Sequence, residues 1–583
     1  MLNPRKDRLN YSNILHPPAD YHLDFAVGTT YSLDLNALIA SAISSGSSVK
    51  FDSYLTDDPI FSMNVLQDNM DRIVLFCEKG RIKFPEKPTK LYILLENMVF
   101  QVDSPKNGYY SFHPKFWLLR FIDDDGHVLY RIIVLSRNLT FDRSWDISFS
   151  MDGHKTRKKT DKNKAVSGFL KYLKGYVSDE IKKDKMDEII KELNHVHFDL
   201  DCNGVFNDFE FIINGIDEKN IKNYPLFSNR WDELLIISPF LNGDVIKGFN
   251  NRSSKDSKAA LITRPASLGK LKPGNYDNFN IYTLKEEIIE GGSESSHRFP
   301  QDIHAKMYMM KKDNRTELYL GSLNASRKAL EGNVEFMVRL SVDNNKLDVK
   351  DLTEDIISDV TEAADLSKVV GPADGDKNLD WIVKRISALA ITAEAISENE
   401  HYNVLIDAMD YDEKEFSDFE VKLKPLFSYY MEFSNHMEFE KLKKSELSEF
   451  YVLKVSDGSK HVERIIKIPT EGLPEGRQKE AMSIIRSQED FKKYVEYAIF
   501  GQHPVKHFKR PSGESAEKKS DTRTLLPGLY EKMLKAVYET PEKFENLDYL
   551  IRNSSDEIIP DGFEELCKPF LEVKNGDYYV NDR

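Results

Sequence analysis

Cysteine is scarce in this chain. Cys77, Cys202 and Cys567 lie far apart, and no pair has CxxC spacing, which argues against a disulfide framework and a thiolate zinc site. No apolar run approaches the roughly eighteen residues of a membrane span, and the first residues lack the apolar core of a signal peptide. P-loop, zinc-finger and EF-hand patterns are also absent. We therefore expect a cytoplasmic protein with no membrane contact, no bound metal and no cofactor.

Positive charge is in deficit, because the 583 residues carry a formal net charge of −15. This value argues against a general coat for nucleic acid. It does not exclude a nucleic-acid enzyme, because the charge is uneven: residues 351–365 and 407–420 are acidic, whereas residues 154–164 are basic. The length allows three or four domains.

Strand-like apolar runs alternate with amphipathic helices over residues 20–345, which predicts an α/β class. The scheme occurs twice. We expect a first half over residues 1–198, which includes a helical connector, and a second half over residues 199–370. The pattern of apolar and polar residues changes in residues 371–583. It predicts a mostly helical α+β accessory domain with one hairpin near residues 449–468.

One motif is repeated in the two halves. Each copy has a His-x-Lys triplet at a strand and a Ser-x-Asn triplet at the end of the next strand. The copies consist of His113, Lys115, Ser136 and Asn138, and of His304, Lys306, Ser322 and Asn324. The triplet alone means little, since His507 and Lys509 form it without a Ser-x-Asn downstream. Strand context in both halves is what makes the pair informative.

The residue types fit the chemistry of a phosphate diester. That reaction needs a nucleophile, an acid for the leaving group, and cationic or amide donors around the phosphate oxygens. Two imidazoles can divide the first two tasks near neutral pH. Two lysines can occupy the electrostatic role of a divalent ion. Neither copy is sufficient by itself.

The doubled motif resembles that of the phospholipase D superfamily. This resemblance implies two α/β/α sandwich halves related by a pseudo-twofold axis, with the accessory domain beyond them. The family often has an Asp five residues after each Lys, but Arg120 and Lys311 stand there. The chain is therefore more similar to the tyrosyl-DNA phosphodiesterase and nuclease branches than to the phospholipid-cleaving enzymes.

The resemblance also implies roles. His113 is expected as the nucleophile that forms a phosphohistidine, and His304 as the acid, although the symmetry allows the reverse order. Lys115, Lys306, Asn138 and Asn324 would bind the phosphate oxygens. Ser136 and Ser322 would either add donors or shape the strand ends. Asp146 and Glu335 are the candidates that orient the imidazoles, with Asp142 as a competitor in the first half.

The substrate is less well defined than the site. The expected function is a metal-independent nuclease or DNA end-processing enzyme, and by analogy a bacterial restriction or anti-phage effector. A lipid or small-diester phosphodiesterase and a non-catalytic phosphate-gripping module are the alternatives. Nucleic acid, with DNA preferred, is the expected partner, and the accessory domain is a candidate protein or oligomer interface. The basic run supplies candidate substrate-binding residues: Lys155, Arg157, Lys158 and Lys159.

Overall fold

A computed structural model gives the fold. It describes residues 11–46, 58–106, 108–142, 144–200, 205–216, 221–284, 302–343, 347, 352, 360–362, 379–500, 533, 541–555, 557–560 and 563–574. The predicted domain boundary at residues 370 and 371, and the decoy triplet at His507, lie outside this part of the chain. The predicted α/β class is confirmed, because helices pack on mixed sheets throughout.

The first sheet has seven strands in the order β4-β2-β1-β5-β6-β8-β9. Its central strands alternate between two cores, since Ala26 faces one and Val27 the other. Strands buried on both faces have nearly continuous apolar sequences. The strands are β1 (Tyr21–Thr30), β2 (Ile73–Glu78), β4 (Val99–Val102), β5 (Phe116–Asp123), β6 (Val128–Leu135), β8 (Ser148–Lys155) and β9 (Val196–Phe198).

The second sheet has the order β10-β17-β16-β15-β11-β12-β13-β18. Its first seven strands repeat the neighbours and directions of the first sheet, because β11 pairs in parallel with β12 and antiparallel with β15, as β1 does with β2 and β5. Its strands are β10 (Asp208–Asn214), β11 (Trp231–Ile237), β12 (Ser253–Ile262), β13 (Phe279–Leu284), β15 (Met307–Lys312), β16 (Arg315–Gly321), β17 (Glu335–Asp343) and β18 (Val360–Glu362).

One apolar core is common to the two sheets. Phe116 at the start of β5 and Phe336 in β17 have ring centroids 4.6 Å apart, and Phe169 packs against both. A second core lies on the other face of the first sheet, and a third lies outside the second sheet. Because such burial is the main favourable term in folding, the two sheets form one body.

Most helices cover the outer faces, whereas the helices Lys164–Lys174 and Glu180–Glu192 contribute to the core common to the two sheets. Asp58 caps one outer helix through the amide groups of Ile60 and Phe61, as Asn242 caps another through Asp244 and Val245. In the first half the helices are α1 (Tyr11–Leu15), α2 (Leu35–Gly46), α3 (Pro59–Asn69), α4 (Tyr92–Leu95), α5 (Lys164–Lys174) and α6 (Glu180–Glu192). In the second half they are α7 (Pro225–Ser228), α8 (Gly243–Asn250), α9 (Pro265–Leu268) and α10 (Arg327–Glu331).

The accessory region corrects the prediction of a mostly helical domain. Helix α11 (Leu379–Ser387) is followed by eight strands, and we call residues 379–471 the β-module. The strands are β19 (Thr392–Glu398), β20 (His401–Asp407), β21 (Glu420–Pro425), β22 (Met431–Glu432), β23 (His436–Leu442), β24 (Phe450–Ser456), β25 (His461–Lys467) and β26 (Thr470–Glu471). The predicted hairpin is confirmed as β24 and β25.

The β-module is joined to the first half. Strand β25 pairs with β3 (Ile82–Lys83), so a five-stranded sheet, β22-β21-β24-β25-β3, includes residues of both. The later helices α12 (Gln488–Phe500), α13 (Pro541–Asn553) and α14 (Phe563–Lys574) contribute to the core on the outer face of the first sheet. No helix in the described ranges is long and apolar enough to cross a membrane.

Candidate active site

The two His-x-Lys triplets immediately precede equivalent strands. Lys115 comes before β5 and Lys306 before β15, and their neighbours Phe116 and Met307 pair with the ends of β1 and β11. Both lysine side chains point inward, with residues only 1% and 3% exposed. A buried ammonium needs a partner, so these lysines are placed where an anion would be bound strongly.

The segments before the histidines pair across the two halves. Phe112 bridges Val334 in parallel, and Ile303 in β14 (Asp302–Ile303) pairs with Trp145 in β7 (Ser144–Trp145). The amide of His113 donates to Val334 O at 2.8 Å, and that of His304 donates to Trp145 O at 3.0 Å. Each histidine is therefore aligned with the segment that carries the other half's acid.

Glu335 lies against the first histidine. Its Oε2 is 2.9 Å from His113 Nδ1, and it also accepts from the Ser322 hydroxyl and from Asn333 Nδ2 at 3.1 Å. The carboxylate is buried and fixed by three partners. The structure thus brings the second-half acid to the first-half imidazole, a pairing that the sequence pattern does not reveal because the two residues are 222 positions apart.

Asp146 has the corresponding place near His304, and it acts there as a charge. Its Oδ1 accepts from the Ser136 hydroxyl at 3.1 Å, and Ser144 donates to its Oδ2. Asp142, the competing candidate, accepts from the hydroxyls of Thr140 and Ser144. Ser136 and Ser322 therefore hold the acids, which favours the structural role for these serines.

The ammonium group of Lys306 also connects the halves, whereas that of Lys115 bonds within its own half. Lys306 Nζ donates to Ser136 O of the other half at 3.2 Å and to His304 O. Lys115 Nζ donates to His113 O at 2.9 Å. Burial lowers the pKa of Lys306 to about 8. Burial and the charge of Lys306 hold the pKa of Lys115 well below its usual range. A phosphate anion bound between them would reverse this effect.

The imidazoles are held neutral in the free protein. Burial lowers the pKa of His113 to about 4, and the charge of Glu335 opposes this shift. Burial and the charge of Lys306 also lower the pKa of His304, against Asp146 and Asp142. A neutral His113 whose Nδ1 is bonded to Glu335 leaves Nε2 available for attack. For His304, the negative charge of a bound phosphate favours protonation.

The two asparagines lie in equivalent loops, Asn138 after β6 and Asn324 after β16. Asn138 and Asn324 each have a buried carboxamide oxygen with no partner among the described residues. The next residue in each loop donates its amide to a hydroxyl at 2.9 Å, Leu139 to Thr30 and Ala325 to Ser238. A carboxamide that rotates by 180° offers its N–H groups instead, so both asparagines can bind phosphate oxygens.

The structure does not bring the basic run to this site. Ser148 at one end of β8 pairs with Leu135 near the motif, whereas Lys155 is at the other end, roughly 23 Å away at about 3.3 Å per residue. Lys155 is paired with Glu192 at 2.6 Å, and the exposed Arg157, Lys158 and Lys159 follow it. The position of the missing Asp lies in the same region, where Arg120 bonds Glu192.

Residues that the sequence did not reveal surround the site. The Tyr31 ring centroid is 5.2 Å from that of His113. Exposed rings lie beside cations in each half: Lys328 is 4.6 Å from the ring centroid of Tyr109, and Arg264 is 5.0 Å from that of Phe240. Tyr31 and Phe240 each come within three residues of the end of β1 or β11, and this is the signal that could have identified them.

One group of side chains in the described ranges could hold a metal ion: Asp123, Asp125 and His127, all at the turn between β5 and β6. It lies at the far end of β5, roughly 26 Å from Lys115 at about 3.3 Å per residue. It therefore does not contribute to the site.

No protein-family model matches the chain, and no curated protein matches it. Similar solved structures include a yeast tyrosyl-DNA phosphodiesterase, with 13% identity, 59% of this chain and 88% of that chain covered, and TM-score 0.36. A phosphatidylserine synthase of Haemophilus influenzae Rd KW20 has 9% identity, 64% and 89% coverage, and TM-score 0.34. NucT from Helicobacter pylori has 17% identity, 27% and 100% coverage, and TM-score 0.19. At these identities and TM-scores the resemblance to the phospholipase D superfamily stays a prediction from the sequence motifs, and the reaction has to be argued from the site.

Proposed function

We propose that this chain is a phosphodiesterase that hydrolyses nucleic acid, DNA by preference, through a phosphohistidine and without a metal ion. The observation that carries this proposal is the contact of His113 with Glu335 of the other half, beside the buried Lys115 and Lys306. The shared strand order of the two sheets supports a pseudo-twofold relation between the halves. The domain division proposed with it is 1–198, 199–370 and 371–583, and the third part includes the β-module.

In the first step, His113 Nε2 attacks phosphorus while Glu335 stabilises the charge that develops on the ring. The bond to the leaving oxygen breaks, and His304 gives that oxygen its proton. In the second step, neutral His304 takes a proton from water, whose oxygen attacks phosphorus and displaces His113. Both histidines return to their starting states, and one water molecule is consumed.

The lysines and asparagines stabilise the phosphate oxygens in both steps. Charges that are fixed before the reaction cost no reorganisation at the transition state, and this is usually the largest catalytic contribution. Lys306 is anchored on Ser136 O of the opposite half. We therefore propose that Lys115, Lys306, Asn138 and Asn324 form one oxyanion-binding set drawn from both halves.

The surroundings favour nucleic acid over a lipid headgroup. Tyr109 is 60% exposed and Phe240 is 44% exposed, and each has a cation over its ring. Exposed aromatic rings beside cations are the elements that bind single-stranded nucleic acid, because bases stack on the rings while the cations attract phosphates. Phe141, three residues after Asn138, is a third exposed ring.

The test is a substrate panel in excess EDTA with single-stranded DNA, duplex DNA, RNA, a 3′-tyrosyl oligonucleotide and a phospholipid. We expect cleavage of DNA by the wild type and none by His113→Ala. His304→Ala should accumulate a covalent phosphoenzyme on His113. The control His127→Ala, at an exposed turn, should be fully active. Exclusive cleavage of the phospholipid, or complete dependence on a divalent ion, contradicts the proposal.

A separate experiment tests whether the exposed aromatic rings bind nucleic acid. Tyr109→Leu and Phe240→Leu should weaken binding of single-stranded DNA, whereas Tyr429→Leu at an exposed position of the β-module should not.

A role in defence against phages is the accompanying hypothesis. Plaque counts on cells that carry the wild type or His113→Ala decide it, since equal counts for a panel of phages would contradict it.

A further inference from the structure

A lysine of the β-module reaches the backbone just before His113. Lys384 in α11 donates through Nζ to Tyr110 O at 2.7 Å and to the Ser111 hydroxyl at 3.2 Å. The same ammonium forms a salt bridge with Glu78 Oε1 at 3.1 Å. Lys384 is distant from both motifs in sequence, yet its contacts end two residues before the proposed nucleophile.

Glu78 connects Lys384 to Phe112, the residue that follows Ser111. It is 0% exposed, and its Oε2 accepts from the Phe112 amide at 2.6 Å. Burial raises the pKa of Glu78, and the charges of Lys384 and Arg81 oppose that shift. An ionised carboxylate without water needs nearby cations. The bond that holds Phe112 therefore depends on Lys384.

A second set of contacts leads from α11 to the His113 ring. Asp380 lies 3.1 Å from Arg81 Nη1 and 3.0 Å from Arg464 Nη2. Arg81 lies 5.3 Å from the ring centroid of Tyr31, which packs against His113. Gly80, at φ +74°, lets α11 approach, because a Cβ there would be 2.5 Å from the Ser387 hydroxyl oxygen.

The second histidine has no such support. By strand register Arg264 holds the place that Glu78 has in the first half, and it pairs with Asp302 beside His304. In the described chain, no hydrogen bond or ion pair joins the β-module to residues 302–306. The β-module therefore acts on one imidazole of the pair.

We infer that the β-module is part of the catalytic unit and that Lys384 is a positioning residue for His113. It fixes the Tyr110–Phe112 backbone directly and through Glu78, so that the imidazole is presented to Glu335 on one side and to the phosphate on the other. This inference rests on the proposed function. It assigns to the accessory region a task in the reaction itself.

The first test is the kinetics of DNA cleavage by Lys384→Met, which keeps the length of the side chain and removes its charge. We expect kcat to fall roughly 10- to 100-fold, because a small displacement of a reacting group is that costly. KM and DNA affinity should stay unchanged, since Lys384 does not face the substrate. Lys384→Arg should restore much of kcat. Arg385→Met, which removes the neighbouring cation paired with Glu415, is the matched control.

The second test does not need activity. Diethyl pyrocarbonate modification, quantified by mass spectrometry, should show His113 reacting several-fold faster in Lys384→Met, with His304 unchanged. Full kcat together with unaltered His113 reactivity overturns the inference. A wild type that cleaves nothing refutes the proposed function, and the reactivity still decides the role of Lys384. If Lys384→Met fails to fold, the pair Glu78→Gln and Lys384→Met removes the unpaired charge and takes its place in both measurements.

Discussion

At the scale of single residues, the environment of His113 suits the role of nucleophile that we propose for it. Burial keeps the ring neutral, while one buried carboxylate fixes the nitrogen that faces away from the substrate. Burial disfavours a positive charge on the ring, whereas the carboxylate favours one. Both effects suit a nucleophile. A neutral ring can attack, and a nearby anion stabilises it once it has attacked and become cationic.

The lowered pKa of His113 predicts a pH-dependent stability. The folded pKa is about 4 against 6.5 for the free side chain, so the unfolded state binds the proton more tightly between these values. Stability is therefore complete above pH 6.5 and is lost as the pH falls, by about 2 kcal/mol at pH 5. His113→Asn should remove this loss. Denaturant unfolding of wild type and variant at pH 7.5 and pH 5 measures it, with His127→Asn as control.

Glu335→Gln tests the orienting carboxylate. The amide keeps the shape but neither charges the site nor selects the same tautomer, so kcat for DNA cleavage should fall at least about 100-fold. DNA affinity should not change, because Glu335 is buried behind His113. Glu331→Gln, four residues earlier and partly exposed, is the control. A kcat within twofold of the wild type would rule out the orienting role.

At the scale of elements, two hydroxyls place the asparagine loops. Thr30 is the last residue of β1 and Ser238 directly follows β11, and each hydroxyl accepts the amide of the residue after Asn138 or Asn324. Each also donates to a carbonyl two residues on, Ser32 O or Phe240 O. The same pair of bonds thus turns the chain in both halves, and the position of each carboxamide follows from it.

Removal of one hydroxyl should therefore be costly. Thr30→Val and Ser238→Ala each leave a buried amide unpaired, which should lower the free energy of unfolding by about 1–3 kcal/mol and reduce kcat. Thr29→Val is the matched control, since the Thr29 hydroxyl is buried without a partner in the described structure. Its stability should be unchanged or higher. Equal losses in all three variants would show that the hydroxyl bonds are not responsible.

Much of the fold over residues 20–345 could be predicted, because its strands are apolar runs and its motifs lie next to their ends. In the β-module the hairpin of β24 and β25 was predicted, but the other strands were not. In β19, Thr392–Glu398, alanine and glutamate are good helix formers, yet Ala393 and Ala395 alternate into the core. There, tertiary packing overrides helix propensity. The contact of Glu335 with His113 could not be predicted either, because sequence spacing does not encode which distant segments pair.

At the scale of the whole molecule, the β-module and the later helices close the outer face of the first sheet. Phe450, Val452 and Ile465 share a core with Leu75 and Trp117. Arg477 and Ser448 bind the buried Glu96, a further ion pair between the same two regions. The apolar core and the buried ion pair of the first half are thus incomplete without the rest of the chain.

A chain that ends at residue 370 should therefore not be a functional enzyme. It would expose that apolar face and leave Glu78 without Lys384, so we expect aggregation during purification and strong binding of a hydrophobic dye. Co-expression of residues 379–583 should increase the soluble fraction. A soluble, monomeric and fully active fragment 1–370 would contradict the contacts described for Glu78 and Glu96.

The distance in sequence between His113 and Glu335, 222 positions, has a consequence during synthesis. A ribosome that has completed the first sheet has made an imidazole with no carboxylate to orient it. Because Glu335 and Lys384 are translated later, a chain that terminates before residue 384 lacks at least one of the two groups that we propose to orient and position His113.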